Sequence, residues 1–105
     1  MSFAFRRSID EEYQLMARLQ GMSGPINCLA FSTDGRYLAS GADDEKLRIW
    51  DIEAKRSYYT IKDSLERWGQ ITCIKWLSRT SDDCDRLCFG TGRGLVLLYR
   101  EKKNG

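Results

Sequence analysis

The stretch that decides the fold is LQGMSGPINCLAFSTDGRYLASGADDEKLRIWDIEAK, residues 19–55. Within it, short runs of alternating apolar and polar residues are broken by clusters of Gly, Asp and Ser, the pattern of half-buried strands joined by tight turns. Asp34-Gly35 supplies a hairpin turn, because Gly accepts positive φ without steric cost and Asp can bond its own backbone. Ser40-Gly41 removes side-chain bulk where neighbouring sheets come close. The large Phe31, Leu38, Ile49 and Trp50 are expected to fill the space between sheets.

Working outward, strands are predicted over 12–19, 26–32, 37–41, 46–51, 56–62, 71–77, 86–90 and 95–100, each near the usual strand length. The one expected helical feature is a single turn at 64–68. The runs also repeat. INCLAF at 26–31 matches ITCIKW at 71–76, a separation of 45. YLASG at 37–41 matches RLCFG at 86–90 and Trp50 matches Tyr99, both 49 apart, so the second copy carries four extra residues in a loop between its first two strands. Tyr13 precedes Tyr58 by 45, which sets 12–19 in register with the strand before Ile71. A period near 45 with about four strands per unit is that of a propeller blade.

The residues 19–55 resemble a WD repeat almost position for position: the Gly-containing lead-in, the first strand ending at Phe31-Ser32, the Asp34-Gly35 turn, Leu38-Ala39-Ser40-Gly41, an acidic turn, and Leu47-Arg48-Ile49-Trp50-Asp51. The second copy departs from it, with Tyr99-Arg100 where Trp-Asp would stand and no Asp-Gly turn before its second strand. The resemblance implies an all-β partial β-propeller of about two antiparallel four-stranded blades, the second incomplete. Residues 1–11 form an N-terminal tail, 12–19 an outer strand, 22–62 repeat one, 68–100 repeat two and 101–105 a C-terminal tail. In the family a buried His, a Ser or Thr, a Trp and an Asp form a polar network inside each blade. The resemblance places Asp44 and Trp50 in that network, with Met22 and Lys46 in the other two positions. A half-built network leaves buried polar groups unsatisfied, so this blade is expected to be weaker than a consensus repeat. The signature residues are thus Asp34, Gly35, Ser40, Gly41, Asp44, Trp50 and Asp51.

Composition narrows the function further. The 105 residues carry 17 Lys and Arg against 15 Asp and Glu, a net charge of +2, which generates no long-range field for nucleic acid or anionic lipid. No nucleic-acid or membrane partner is expected. The first ten residues, MSFAFRRSID, have no apolar run after the arginines, so the chain is expected to be intracellular, cytoplasmic or nuclear. Cys28, Cys73, Cys84 and Cys88 are expected to be reduced structural thiols, and with no His in the sequence neither a zinc site nor a Ser or Cys triad is expected. No cofactor is expected, and the chain is not expected to be an enzyme.

Three clusters invite chemistry. Asp43-Asp44-Glu45 is better read as a solvated turn than as a cation or acid–base site, since adjacent residues do not converge on one ligand. Asp82, Asp83, Cys84 and Asp85 are expected in an exposed inserted loop. Gly90-Thr91-Gly92-Arg93-Gly94 offers glycine amides and an arginine to an anion or nucleotide, yet phosphate loops of that type lead into helices and LVLLYR reads as a strand. Binding of protein partners is the leading expectation. The resemblance puts Met22, Asp43, Glu45, Glu66, Arg67, Trp68 and Arg93 on one rim, and Trp68, Arg67, Arg93, Asp43 and Glu66 are the candidate contacts, Trp and Arg being frequent at hot spots. The alternative for Trp68 is that it covers the edge of the neighbouring blade. Because repeat folds need at least about three units to cover their faces, two repeats are expected to be completed by copies of the chain or by another chain, or to be a truncated product without independent activity.

Overall fold

The computed structural model describes residues 12–63, 67–78 and 84–102. Seven strands form two antiparallel sheets in simple up-and-down order: β1 (Ile26–Phe31), β2 (Tyr37–Ala42), β3 (Leu47–Asp51) and β4 (Arg56–Ile61) in the first, β5 (Ile71–Leu77), β6 (Arg86–Thr91) and β7 (Val96–Arg100) in the second. The chain is therefore all-β, two blades of a propeller with three strands in the second.

The turns that set these strands follow from local chemistry. At Asp34-Gly35, Gly35 has φ 74° and donates its N–H to the Ser32 carbonyl at 2.9 Å, while Asp34 Oδ1 accepts from Ser32 Oγ and the Arg36 N–H. Ser32 Oγ in turn accepts from the Tyr37 N–H at 2.9 Å, so one Ser-Asp pair closes the hairpin. The β3–β4 turn is fixed by Asp51, whose Oδ1 accepts the Ala54 N–H at 2.9 Å and whose carbonyl accepts the Lys55 N–H at 2.8 Å.

The repeat extends to an irregularity. β1 and β2 slip register between Ile26 and Cys28, and β5 and β6 slip between Ile71 and Cys73, the positions 45 residues on. In both blades the bulge sets a cysteine opposite a glycine, Cys28 against Gly41 and Cys73 against Gly90. A shared bulge is a designed feature of a sheet.

The core lies between the two sheets. Tyr37, Ala39, Leu47, Ile49 and Ile61 of the first meet Trp68, Ile71, Trp76, Leu87 and Phe89 of the second. The inner strands come closest: Trp76 Nε1 donates to the Ala30 carbonyl at 2.9 Å and Asn27 Nδ2 to the Ile71 carbonyl at 3.1 Å. A Cβ on Gly41 would lie 2.6 Å from Cβ of Ile71 and 2.9 Å from Cys28 Sγ, so the close approach anticipated at Ser40-Gly41 is real. Towards the outer strands the sheets part, leaving a groove of about 550 Å³ walled by Tyr37, Tyr58, Tyr59, Trp76, Leu87 and Tyr99.

Two expectations need correction. The outer strand over 12–19 is not formed; the first described strand is β1, and Tyr13, Leu15 and Met16 are 75 % exposed or more. A strand needs a partner for its backbone groups, and none of the described strands lies against this segment. Phe31, expected to pack between sheets, is 62 % exposed, because it points to the side of β1 on which no second sheet stands among the described residues. The expected helical turn at 64–68 falls partly outside the described residues, and Arg67 and Trp68 are not helical.

Candidate functional site

Four loops meet at one end of the two sheets: 21–25 before β1, 43–46 between β2 and β3, 67–70 before β5, and 92–95 between β6 and β7. Backbone bonds tie them in pairs. The Asp43 N–H donates to the Pro25 carbonyl at 3.1 Å, and the Gly92 N–H to the Gln70 carbonyl at 2.8 Å. Glu45 then joins the two blades. It stands at φ 66°, its carbonyl accepts Trp68 Nε1 at 2.8 Å, and its Oε1 accepts the Gly69 N–H at 3.1 Å.

Trp68 therefore belongs to the joint between the blades. Only 4 % of it is exposed, and its ring meets Phe89 edge-on at 5.6 Å between centroids. The expectation that Trp68 offers itself to a partner is corrected in favour of its alternative: it covers the neighbouring blade. Arg67, Arg93 and Asp43 stay exposed, and Asn27 Nδ2 steadies Asp43 Oδ1 at 2.8 Å. Glu66 lies outside the described residues. Below these side chains a shallow polar recess of about 230 Å³ is lined by Asp44, Glu45, Lys46, Lys62, Asp63 and Arg67, so both signs of charge alternate across the rim.

The polar network of the first blade differs from its expected composition. Trp50 Nε1 donates to Ser40 Oγ at 2.9 Å, and Ser40 Oγ donates to Met22 Sδ at 3.7 Å. Arg48 Nη1 reaches both Met22 Sδ and Asp44 Oδ2 at 3.0 Å. Ser40, not Lys46, is thus the hydroxyl of the network, and Met22 with Arg48 spans the gap to Asp44. Lys46 contributes only its backbone N–H, to Asp44 Oδ1 at 3.1 Å. The expectation that Asp44 and Trp50 stand alone is corrected, because cross-strand register brings Ser40 beside Trp50: Ser40 pairs with Arg48, two residues from Trp50. Burial would raise the Asp44 pKa, but bonds from the Ser23 N–H, the Arg48 side chain and the Lys46 N–H, with the Arg48 charge, hold its carboxyl below the ordinary aspartate value. Asp43-Asp44-Glu45 is a turn whose carboxylates point to three different partners.

The glycine turn at 90–94 gives a similar answer. Its amides are already occupied: Gly92 N–H by Gln70, Gly94 N–H by the Thr91 carbonyl at 3.0 Å, and both Arg93 and Leu95 N–H by Thr91 Oγ1 at 3.3 Å. An anion would have to displace all of these, and the turn leads into β7, not into a helix.

Comparison with known proteins agrees with this geometry. Residues 13–51 match the family model described as WD domain, G-beta repeat. The chain is 27 % identical over 99 residues, 94 % of its length, to Protein ALTERED SEED GERMINATION 2 of Arabidopsis thaliana, covering 12 % of that protein. It is 34 % identical over 79 residues, 75 % of its length, to Ribosome biogenesis protein ERB1 of Ajellomyces capsulatus, covering 10 % of it. To human WD repeat-containing protein 18 it is 36 % identical over 55 residues, 52 % of its length and 13 % of the relative's. The chain spans between a tenth and a seventh of these relatives. With two stacked antiparallel blades, a shared bulge and a Trp50–Ser40–Asp44 network, the chain belongs to the WD-repeat family and carries about two of its repeats.

Proposed function

We propose that the chain is a protein-interaction module that acts by binding and not by catalysis, through the rim that carries Asp43, Arg67 and Arg93. The observation that carries this is the coupling of four loops from both repeats into one rigid end by Glu45 and by the paired loop bonds, with those three charged side chains left exposed. Preorganised loops lose little entropy on binding, and arginines beside a carboxylate select for a partner surface of complementary charge. The family supports the class of function, and the relative named for ribosome biogenesis fits a module working inside the cell.

The module further acts as part of an assembly. This reading is supported by Leu29 and Phe31 on one face and Val96 and Leu98 on the other, large apolar side chains each more than 60 % exposed. The test of the rim is a quantitative co-purification with crosslinking, comparing the wild type with Arg67→Ala/Arg93→Ala. A loss of at least tenfold in captured partner, with an unchanged melting midpoint, is expected; equal capture by both proteins contradicts the assignment.

A further inference from the structure

The polar chain inside the first blade passes through its weakest acceptor. Two donors converge on Met22 Sδ, Ser40 Oγ at 3.7 Å and Arg48 Nη1 at 3.0 Å, although a thioether sulfur accepts hydrogen bonds only weakly. Ser40 has one hydroxyl proton, and since its oxygen already accepts from Trp50 Nε1, that proton is left to the sulfur. Met22 itself is half-buried, with exposed Gly21 and Ser23 on either side, so a small oxidant reaches the sulfur from solvent.

We propose that Met22 is an oxidative modification site: hydrogen peroxide converts its thioether to the sulfoxide, and the new oxygen becomes the acceptor shared by Ser40 and Arg48. In this step a sulfur lone pair attacks one peroxide oxygen, and the S–O bond forms as the O–O bond breaks. The departing hydroxide takes the proton of the transferred oxygen and leaves as water. Sulfur gives up two electrons and the peroxide gains them. The Ser40 and Arg48 donors, already aimed at the sulfur, stand where the transferred oxygen acquires negative charge.

The surroundings of the sulfur set the sign of the effect. A sulfoxide placed in an apolar core puts a polar oxygen among side chains that cannot bond it, and packing is disrupted. Around Met22 Sδ stand donors, so the oxygen exchanges two weak bonds to sulfur for two ordinary ones. A movement of Arg48 towards that oxygen leaves no buried carboxylate stranded, because Asp44 keeps the Ser23 N–H at 3.2 Å and the Lys46 N–H at 3.1 Å. Those bonds and the new oxygen together tie the 21–25 loop to the 43–46 turn. Oxidation of Met22 therefore stabilises the first blade, the reverse of its effect in an apolar core. Met16, 77 % exposed, provides the comparison within the same chain.

The test treats the whole chain with hydrogen peroxide in steps, maps the sulfoxide at Met1, Met16 and Met22 by peptide mass, and follows the melting midpoint of the wild type and of Met22→Leu. Leucine keeps an apolar side chain of similar size without the sulfur, and the other two methionines and the four cysteines are the same in both proteins. Met16 is expected to oxidise first, with no change in midpoint. As Met22 sulfoxide accumulates, the wild-type midpoint is expected to rise by about 4 °C, the shift given by one added hydrogen bond in a domain of this size. It is expected to return when a methionine sulfoxide reductase is added, while Met22→Leu shows no rise. A wild-type midpoint that falls or stays constant as Met22 is converted overturns the proposal. So does a rise of equal size in Met22→Leu, or a Met22 that stays reduced when Met16 is fully converted. Should the leucine variant not fold, the wild-type series with its reversal by the reductase decides the point alone.

Discussion

The two blades fill equivalent positions of the repeat with different chemistry. In the first, Ser40 and Trp50 belong to a polar chain that runs through Met22 and Arg48 to Asp44. In the second, the equivalent positions hold Phe89 and Tyr99, which stack at 5.7 Å with an interplanar angle of 21°, while Trp68 meets Phe89 edge-on. Arg93 stands where Asp44 would be and Arg67 where Met22 would be, and both are exposed. The period thus keeps strand register and not a particular set of interactions. An apolar stack is insensitive to pH and tolerates no polar substitution; a polar chain depends on every member being satisfied. The change also frees two arginines of the second repeat for the rim.

Substitutions can break this contrast. Phe89→Ala removes a side chain that is 1 % exposed and touches both Trp68 and Tyr99, and is expected to cost about 3–5 kcal/mol in denaturant unfolding. Phe31→Ala, at a face that is open in the single chain, is expected to cost under about 0.5 kcal/mol when measured at concentrations where the chain is not associated. Ser40→Ala leaves the buried Trp50 N–H without its acceptor and is expected to cost about 1–3 kcal/mol.

Acid separates the two blades as well. The Asp44 carboxyl is held below its ordinary value in the fold, so its contribution to stability is complete above the unfolded pKa of about 3.9 and is lost as pH falls through the lower folded value. Stability of the wild type measured from about pH 5 downward should therefore fall more steeply than that of Asp44→Asn, with the difference vanishing once Asp44 is protonated in both states. One substitution is expected to be a gain. Met22→His replaces a thioether by a ring that can bond both Ser40 and Asp44, and is expected to raise stability by about 1 kcal/mol in a thermal melt. No change would show that Arg48 already completes the chain.

Strand positions were legible in the sequence to within a residue or so, because alternation and turn residues act locally. Gly41 was legible for the same reason, a small residue being required where two sheets touch. Ser40 was missed as a member of the network because its partnership with Trp50 arises from pairing across β2 and β3, which places Ser40 opposite Arg48 and not at the turn position occupied by Lys46. The signal was present in the register: Arg48 stands two positions before Trp50, within reach of a cross-strand diagonal. The fate of Trp68 was not legible. Its equivalent in the first repeat is Ser23, so repetition says nothing about it, and its burial depends on Glu45 of the preceding blade. The segment 12–19 shows the reverse case, a strand pattern without a strand, because pattern specifies a face but not the presence of a neighbour.

The central claim is that two unequal blades present a rigid rim while their outer faces are completed by association. Thermal melting followed together with solution mass, as chain concentration is raised, tests it most directly. A mass that rises with concentration, accompanied by a rising midpoint as expected when association stabilises the fold, is the predicted result. A monomer with a sharp midpoint independent of concentration would contradict it.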